Sequence, residues 1–158
     1  MNAQPLLDYI KKYVELTQEE EAILLSRVRF RKYLKNQYIV QQGDICEHES
    51  FVLSGCSRTF YLDDQGQEHI VMFAIENWWT GDLGSFITQG PANYNVQCLE
   101  NTELIQFSYE NLTSLYEEIP KLEKFFRPPT TGLRTVIRSA GPSRRRKTEE
   151  SRPLPVER

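Results

Sequence analysis

No apolar run in the 158-residue chain approaches the roughly 20 residues that span a bilayer as a helix, which excludes a helical membrane protein. The N-terminal stretch MNAQPLLDYIKKYVEL interleaves acids and lysines with its apolar positions. It lacks the basic end, apolar centre and small-residue cleavage site of a secretory signal, so a cytoplasmic location with no membrane partner is expected. Cysteines number three, Cys46, Cys56 and Cys98, without CxxC spacing. Neither a disulfide framework nor a zinc site follows, and an iron–sulfur cluster lacks its fourth ligand. All three are expected to be reduced, buried small residues. The two histidines, His48 and His69, form no H-x-H pair and do not supply a cupin-type metal site. No G-x-S-x-G elbow, Walker loop or Ser-His-Asp order is present, and no enzyme is expected. Two further absences are local: no Lys or Arg occurs from residue 59 to residue 120, and no aromatic residue follows Phe126.

The formal charge of −3 conceals a break. Residues 1–126 carry 10 Lys+Arg against 19 Asp+Glu, whereas 127–158 carry 9 against 3, together with five of the eight prolines and the run Arg144-Arg145-Arg146-Lys147. Such a stretch has too little apolar surface to fold by itself, and we expect a disordered basic tail. The boundary falls near Phe126, where the helical pattern KLEKFF meets Pro128-Pro129. Two units follow: a folded domain over 1–126 and a tail over 127–158. The arginine cluster suits nucleic-acid phosphates, and equally suits a solvated tail with no partner.

Within the first unit, Leu6, Leu7, Ile10, Tyr13 and Val14 recur at helical spacing. Thr17 followed by Glu20 fits a capping box that opens a second helix over about residues 18–26. From Lys35 the period changes. Tyr38 to Val40, Ser50 to Leu53, Arg58 to Leu62 and His69 to Ile75 are β-branched and aromatic runs, separated by Gly43-Asp44, Ser54-Gly55 and Asp63-Asp64-Gln65-Gly66. Gly43, Gly55 and Gly66 suit corners that need positive φ. Two more strands, Tyr94 to Leu99 and Glu103 to Tyr109, follow a glycine-rich segment. Leu112, Leu115, Tyr116, Ile119, Leu122 and Phe126 then return to helical spacing around a break at Pro120. Short strands at this interval predict a mainly β jelly-roll barrel, a double-stranded β-helix with flanking helices. Of the adjacent Trp78 and Trp79, one belongs to the core and only the other could face a flat ligand.

Four segments in this order carry a resemblance: Gln42-Gly43-Asp44; Ser50-Phe51-Val52-Leu53-Ser54-Gly55-Cys56-Ser57-Arg58; Asp64-Gln65-Gly66-Gln67-Glu68; and Gly81-Asp82-Leu83-Gly84-Ser85-Phe86. Over roughly residues 5–126 the chain closely resembles the cyclic-nucleotide-binding domain of the Crp/Fnr transcription regulators, in the diverged branch common in Bacteroidetes-type bacteria. The resemblance implies a non-catalytic regulatory sensor, a small effector such as a cyclic nucleotide, and a homodimer. It implies DNA as a partner only where a C-terminal helix-turn-helix is present. No such pattern fits residues 127–158, and the abrupt change of composition there is what a frameshift in a high-GC gene produces, so the tail is expected to be a frameshifted or degenerate remnant.

In the family, the segment corresponding to Gly81–Asn95 is the phosphate-binding cassette. A glutamate near its start takes the ribose hydroxyl, and a later arginine pairs with the cyclic phosphate. Here Asp82 stands at the first position, Ala92 at the arginine position and Asn93 at the small polar position after it. The ligand-binding set implied is Gly81, Asp82, Leu83, Gly84, Ser85, Ala92 and Asn93. Asp82 is oriented to a hydroxyl in that reading, and caps the turn from Leu83 to Ile87 in the alternative one. Without the arginine a bound phosphate forfeits a charge-assisted hydrogen bond of roughly 1.5–3 kcal/mol, so cyclic nucleotide is expected to bind weakly or not at all by the usual mode. The rival reading is a ligand-free interaction or adaptor module with a degenerate pocket.

Overall fold

The computed structural model describes residues 2–126. The tail over 127–158, with its basic cluster and its expected disorder, lies outside the described residues. In chain order the elements are α1 (Gln4–Lys11), α2 (Gln18–Ser26), β1 (Arg29–Tyr33), β2 (Tyr38–Val40), β3 (His48–Ser54), β4 (Ser57–Leu62), β5 (Glu68–Ala74), β6 (Trp79–Thr80), α3 (Leu83–Thr88), β7 (Asn95–Cys98), β8 (Thr102–Ser108), α4 (Tyr109–Glu118) and α5 (Lys121–Phe126). No helix among the described residues is long and apolar enough to cross a membrane.

Two four-stranded antiparallel sheets, β1-β8-β3-β6 and β2-β7-β4-β5, face each other as a jelly roll. Side-chain alternation gives the first sheet two buried faces. On its inner face Ser50 lies opposite both Thr80 and Gln106, and the Gln106 amide donates to Ser50 Oγ at 3.0 Å. Ser57 Oγ donates across to Thr80 Oγ1 at 3.5 Å and so joins the sheets. Phe51, Ile105 and Phe107 point the other way, into a core with Leu6 and Ile10 of α1, Leu24 of α2, Leu115 of α4 and Leu122 and Phe126 of α5. Trp79 anchors this side, with ring centroids 5.2 Å from Phe51 and 5.6 Å from Phe126.

The helices follow local chemistry. Thr17 Oγ1 accepts from the Glu20 amide and the Glu20 carboxylate accepts from the Thr17 amide, the reciprocal capping box predicted for α2. Pro5 opens α1, where its missing N–H is no loss. That helix ends at Lys11, short of the apolar pattern, and Tyr13 packs instead as a half-exposed ring, 5.6 Å from both Tyr9 and Phe125. The turn glycines Gly43, Gly55 and Gly66 all take positive φ. At Gly55 the need is steric as well as torsional, because a Cβ there would lie 2.5 Å from Thr102 Oγ1.

The reading from sequence passes over β1. Its residues, Arg29-Phe30-Arg31-Lys32-Tyr33, form an edge strand paired only with β8, so their charges stay in solvent and the apolar alternation is blurred. Of the three cysteines, Cys46 and Cys98 are buried, but Cys56 is partly exposed at the β3–β4 turn.

Candidate functional site

β6 ends at Thr80, held in register against Ser50, and the chain then turns through Gly81 into α3. Gly81 has φ +144°, a conformation that favours glycine, and a Cβ there would lie 2.7 Å from Glu49 Oε1 and would have to displace that carboxyl. Asp82 is the N-cap of α3. Its Oδ1 accepts from the Ser85 amide at 3.0 Å, and its Oδ2 accepts from the Asn93 amide at 2.8 Å. The carboxylate therefore ties the start of the cassette to its end. Asp82 is itself buried, and its own amide donates to Cys46 Sγ at 3.4 Å.

Ser85 continues the lacing, since its hydroxyl accepts from the Cys46 amide and donates to the Gly90 carbonyl. Leu83 is buried beside it, while Gly84 is exposed on the helix surface. The left-handed residue that ends α3 is Gln89, at φ +57°, and Gly90 follows it. Ala92 is 3% exposed, and its backbone is clamped to the turn after β2: Gly43 N donates to Ala92 O at 2.8 Å and Ala92 N donates to Asp44 O at 2.7 Å. Asn93 is exposed. All seven residues singled out from the sequence thus belong to one loop-and-helix unit, held against β3, the Cys46 loop and the turn after β2.

Beside Ala92 lies an open cleft of about 760 Å³ whose walls include Gln42, Asp44, Leu62, Asp63, Asp64 and Asn95. Its charged side chains are all acidic. Asp63 is committed locally, accepting from the Gln65 and Gln67 amides and contacting His69 Nε2 at 2.9 Å. Asn95 is fixed by two hydrogen bonds with Gln42. Arg58, the last Lys or Arg before the cassette, is engaged by Glu68 at 2.9 Å, by Gln97, and by the Phe60 ring 4.2 Å away. Among the described residues no group of three or more His, Cys, Asp or Glu is placed to hold a metal ion. Trp79 is core, and Trp78 is the partly exposed member of the pair.

Several buried polar side chains lie outside the set read from the sequence, and three of them bear on the site. Thr59 Oγ1 and Gln106 Oε1, on the inner faces of the two sheets, have no hydrogen-bond partner among the described residues. On the opposite face of β3, Glu49 is fully buried and neither of its carboxyl oxygens has one. Burial, and then the charge of Asp82, hold the Glu49 carboxyl well above the usual carboxylate range. A signal for Glu49 did exist: it stands beside Ser50-Phe51-Val52-Leu53, a run apolar enough to be buried on both faces.

Residues 30–118, more than half of the chain, match the family model described as Cyclic nucleotide-binding domain. Over 96 residues the chain is 30% identical to the transcriptional activator protein Anr of Pseudomonas protegens, covering 61% of this chain and 38% of that protein. The chain thus spans well under half the length of this curated relative. Among solved structures, the catabolite activator protein of Thermus thermophilus is 27% identical with a TM-score of 0.62, over 68% of this chain and 50% of that one. The sensor domain of the transcriptional regulator DNR from Pseudomonas aeruginosa shares the fold at 20% identity and a TM-score of 0.65, over 76% of this chain and 79% of that one. The chain belongs to the cyclic nucleotide-binding domain family, in the form carried by Crp/Fnr regulators.

Proposed function

We propose that residues 1–126 are the sensor domain of a cytoplasmic Crp/Fnr-type transcription regulator whose pocket takes cyclic nucleotide weakly or not at all by the usual mode. The favoured effector is a small polar molecule without a phosphate. The observation that carries this reading is electrostatic. The position of the phosphate-pairing arginine is the buried Ala92, no Lys or Arg occurs between residues 59 and 120, and the adjoining cleft is lined by Asp44, Asp63 and Asp64. A neutral ligand between the sheets would also meet Thr59 Oγ1 and Gln106 Oε1, whose unmet hydrogen bonds are each worth about 1–3 kcal/mol. The ligand-contacting set is proposed as Gly81, Leu83, Gly84, Ser85, Ala92 and Asn93, with Asp82 as its organiser. In a protein that also carries a helix-turn-helix, the domain acts as a homodimer on DNA.

A second reading, an adaptor module that binds no ligand, is favoured by one observation: both Asp82 oxygens are already taken by backbone amides. Calorimetric titration of the full chain with cyclic AMP and, separately, adenosine tests both. The expected result is no saturation by cyclic AMP up to about 1 mM, with measurable heat from the uncharged nucleoside. Cyclic AMP binding tighter than about 10 µM overturns the sensor reading as framed, and silence from both ligands leaves the adaptor.

A further inference from the structure

Glu49 lies where β3, the cassette and the C-terminal helices meet. Its side chain is fully buried on the helical side of the strand, and neither oxygen has a hydrogen-bond partner among the described residues. Gly81, where the cassette begins, packs directly against it, with only 2.7 Å between Glu49 Oε1 and the place a Cβ would take. The same side chain lines a cavity of about 10 Å³, the size of one water molecule, walled in part by Leu83 and Phe86 of α3, Tyr109 and Tyr116 of α4, and Phe126 of α5.

Among the described residues, no cation stands beside a carboxylate in this place. The titratable groups that face it are Asp82 at the start of α3, Cys46 in the loop before β3, and Tyr109 and Tyr116 on α4, while α5 presents Phe126. Among the described residues, no Lys or Arg lines the cavity. The Cys46 thiol reports the same surroundings, pushed up to about 12 by burial first and by Glu49 next.

We propose that Glu49 is a proton-dependent clasp on the cassette. Neutral, it lets Gly81, Asp82 and α3 pack onto β3 beneath α4 and α5; ionised, it is stable only when that joint opens and water reaches it. Opening of the cassette and release of the Glu49 proton are then linked. An exposed glutamate titrates near about 4.3, so the packed form holds the proton more tightly than the open one. Packing is therefore fully favoured below about pH 4.3. It weakens as pH rises, by up to tenfold in the opening constant per pH unit, until the packed-state value is passed.

Amide hydrogen exchange of α3 in the full chain, followed from roughly pH 5 to pH 9 and corrected for the intrinsic rate at each pH, tests this. The Phe86 amide, bonded to the Asp82 carbonyl at 2.9 Å, and the Gln89 amide, bonded to the Ser85 carbonyl at 2.6 Å, report opening of the helix. The expected result is an opening constant that climbs by up to tenfold per pH unit in the wild type and stays flat in Glu49→Gln. Glu49→Leu, which leaves no orphaned polar atom, is also expected to be flat and serves if the glutamine variant fails to fold. Equal slopes in all three proteins overturn the proposal. So does a wild-type slope shared by barrel amides such as Cys98, since the whole domain, not the cassette, would then be opening.

Discussion

Replacing Asp82 with alanine removes the one side chain that holds both ends of the cassette. The Ser85 amide belongs to a buried residue and would be left without its acceptor, which is worth roughly 2 kcal/mol for a charge-assisted bond. The Asn93 amide belongs to an exposed residue, so water can replace the carboxylate there, and its share is nearer about 1 kcal/mol. Loss of the N-cap of α3 is contained in the first figure, because it is the same hydrogen bond. The expected destabilisation of Asp82→Ala is therefore about 3 kcal/mol, or on the order of 10 °C in the melting midpoint for a domain of this size. Urea unfolding followed by the fluorescence of the buried Trp79 measures it. Asp82→Asn keeps one carbonyl acceptor and should lose about half as much. Removing the negative charge also lowers the repulsion on Glu49, so both variants should bring the Glu49 carboxyl back toward the ordinary range. A loss under about 0.5 kcal/mol for Asp82→Ala would refute the reasoning, because the carboxylate would then be free to serve a ligand rather than the loop.

Two stability changes test other parts of the fold. Gly55→Ala combines a φ of +102° with a Cβ 2.7 Å from the Asn101 carbonyl oxygen and 2.7 Å from Thr102 Cα. At least about 2 kcal/mol should be lost in a denaturant titration, with midpoint and not slope moving. Thr17→Ala should cost about 1 kcal/mol by removing half of the capping box, visible as lowered protection of the Glu20 and Glu21 amides in exchange experiments.

Much of this architecture was legible because each element carries its own local signal. The capping pair Thr17 and Glu20 marked the start of α2, the glycine turns spaced the strands, and Pro120 separated α4 from α5. β1 was illegible because an edge strand keeps its charged side chains in water, and Arg29, Arg31 and Lys32 then obscure the strand period. The seven cassette residues could be placed together from their order alone, but their division of labour could not. Whether a carboxylate faces a ligand or its own backbone is decided by whichever amides the folded chain brings within 3 Å, and Asn93 reaches Asp82 only once the loop has closed. Glu49, Thr59 and Gln106 were missed for a related reason. A polar residue in a strand is ordinarily a solvent-facing one, and only the stacking of helices on one face and of the second sheet on the other buries all three.

The shortened carboxylate and the missing cation bear on the same loop. An aspartate at position 82 reaches the Ser85 and Asn93 amides and so closes the cassette with the chain's own atoms. A ligand shifts a conformational equilibrium only through contacts that differ between its states, and a loop already closed leaves few such contacts at Asp82. The groups still able to supply them are those the fold leaves unmatched. Thr59 Oγ1 and Gln106 Oε1 lie on the inner faces of the barrel, and the two Glu49 oxygens lie behind the cassette. None of these carries a positive charge, and the aspartates of the adjoining cleft, Asp44, Asp63 and Asp64, would repel a phosphate. The two proposals above therefore rest on different groups: a neutral ligand on Thr59 of β4 and Gln106 of β8 inside the barrel, and a proton on Glu49 of β3, which packs against Gly81.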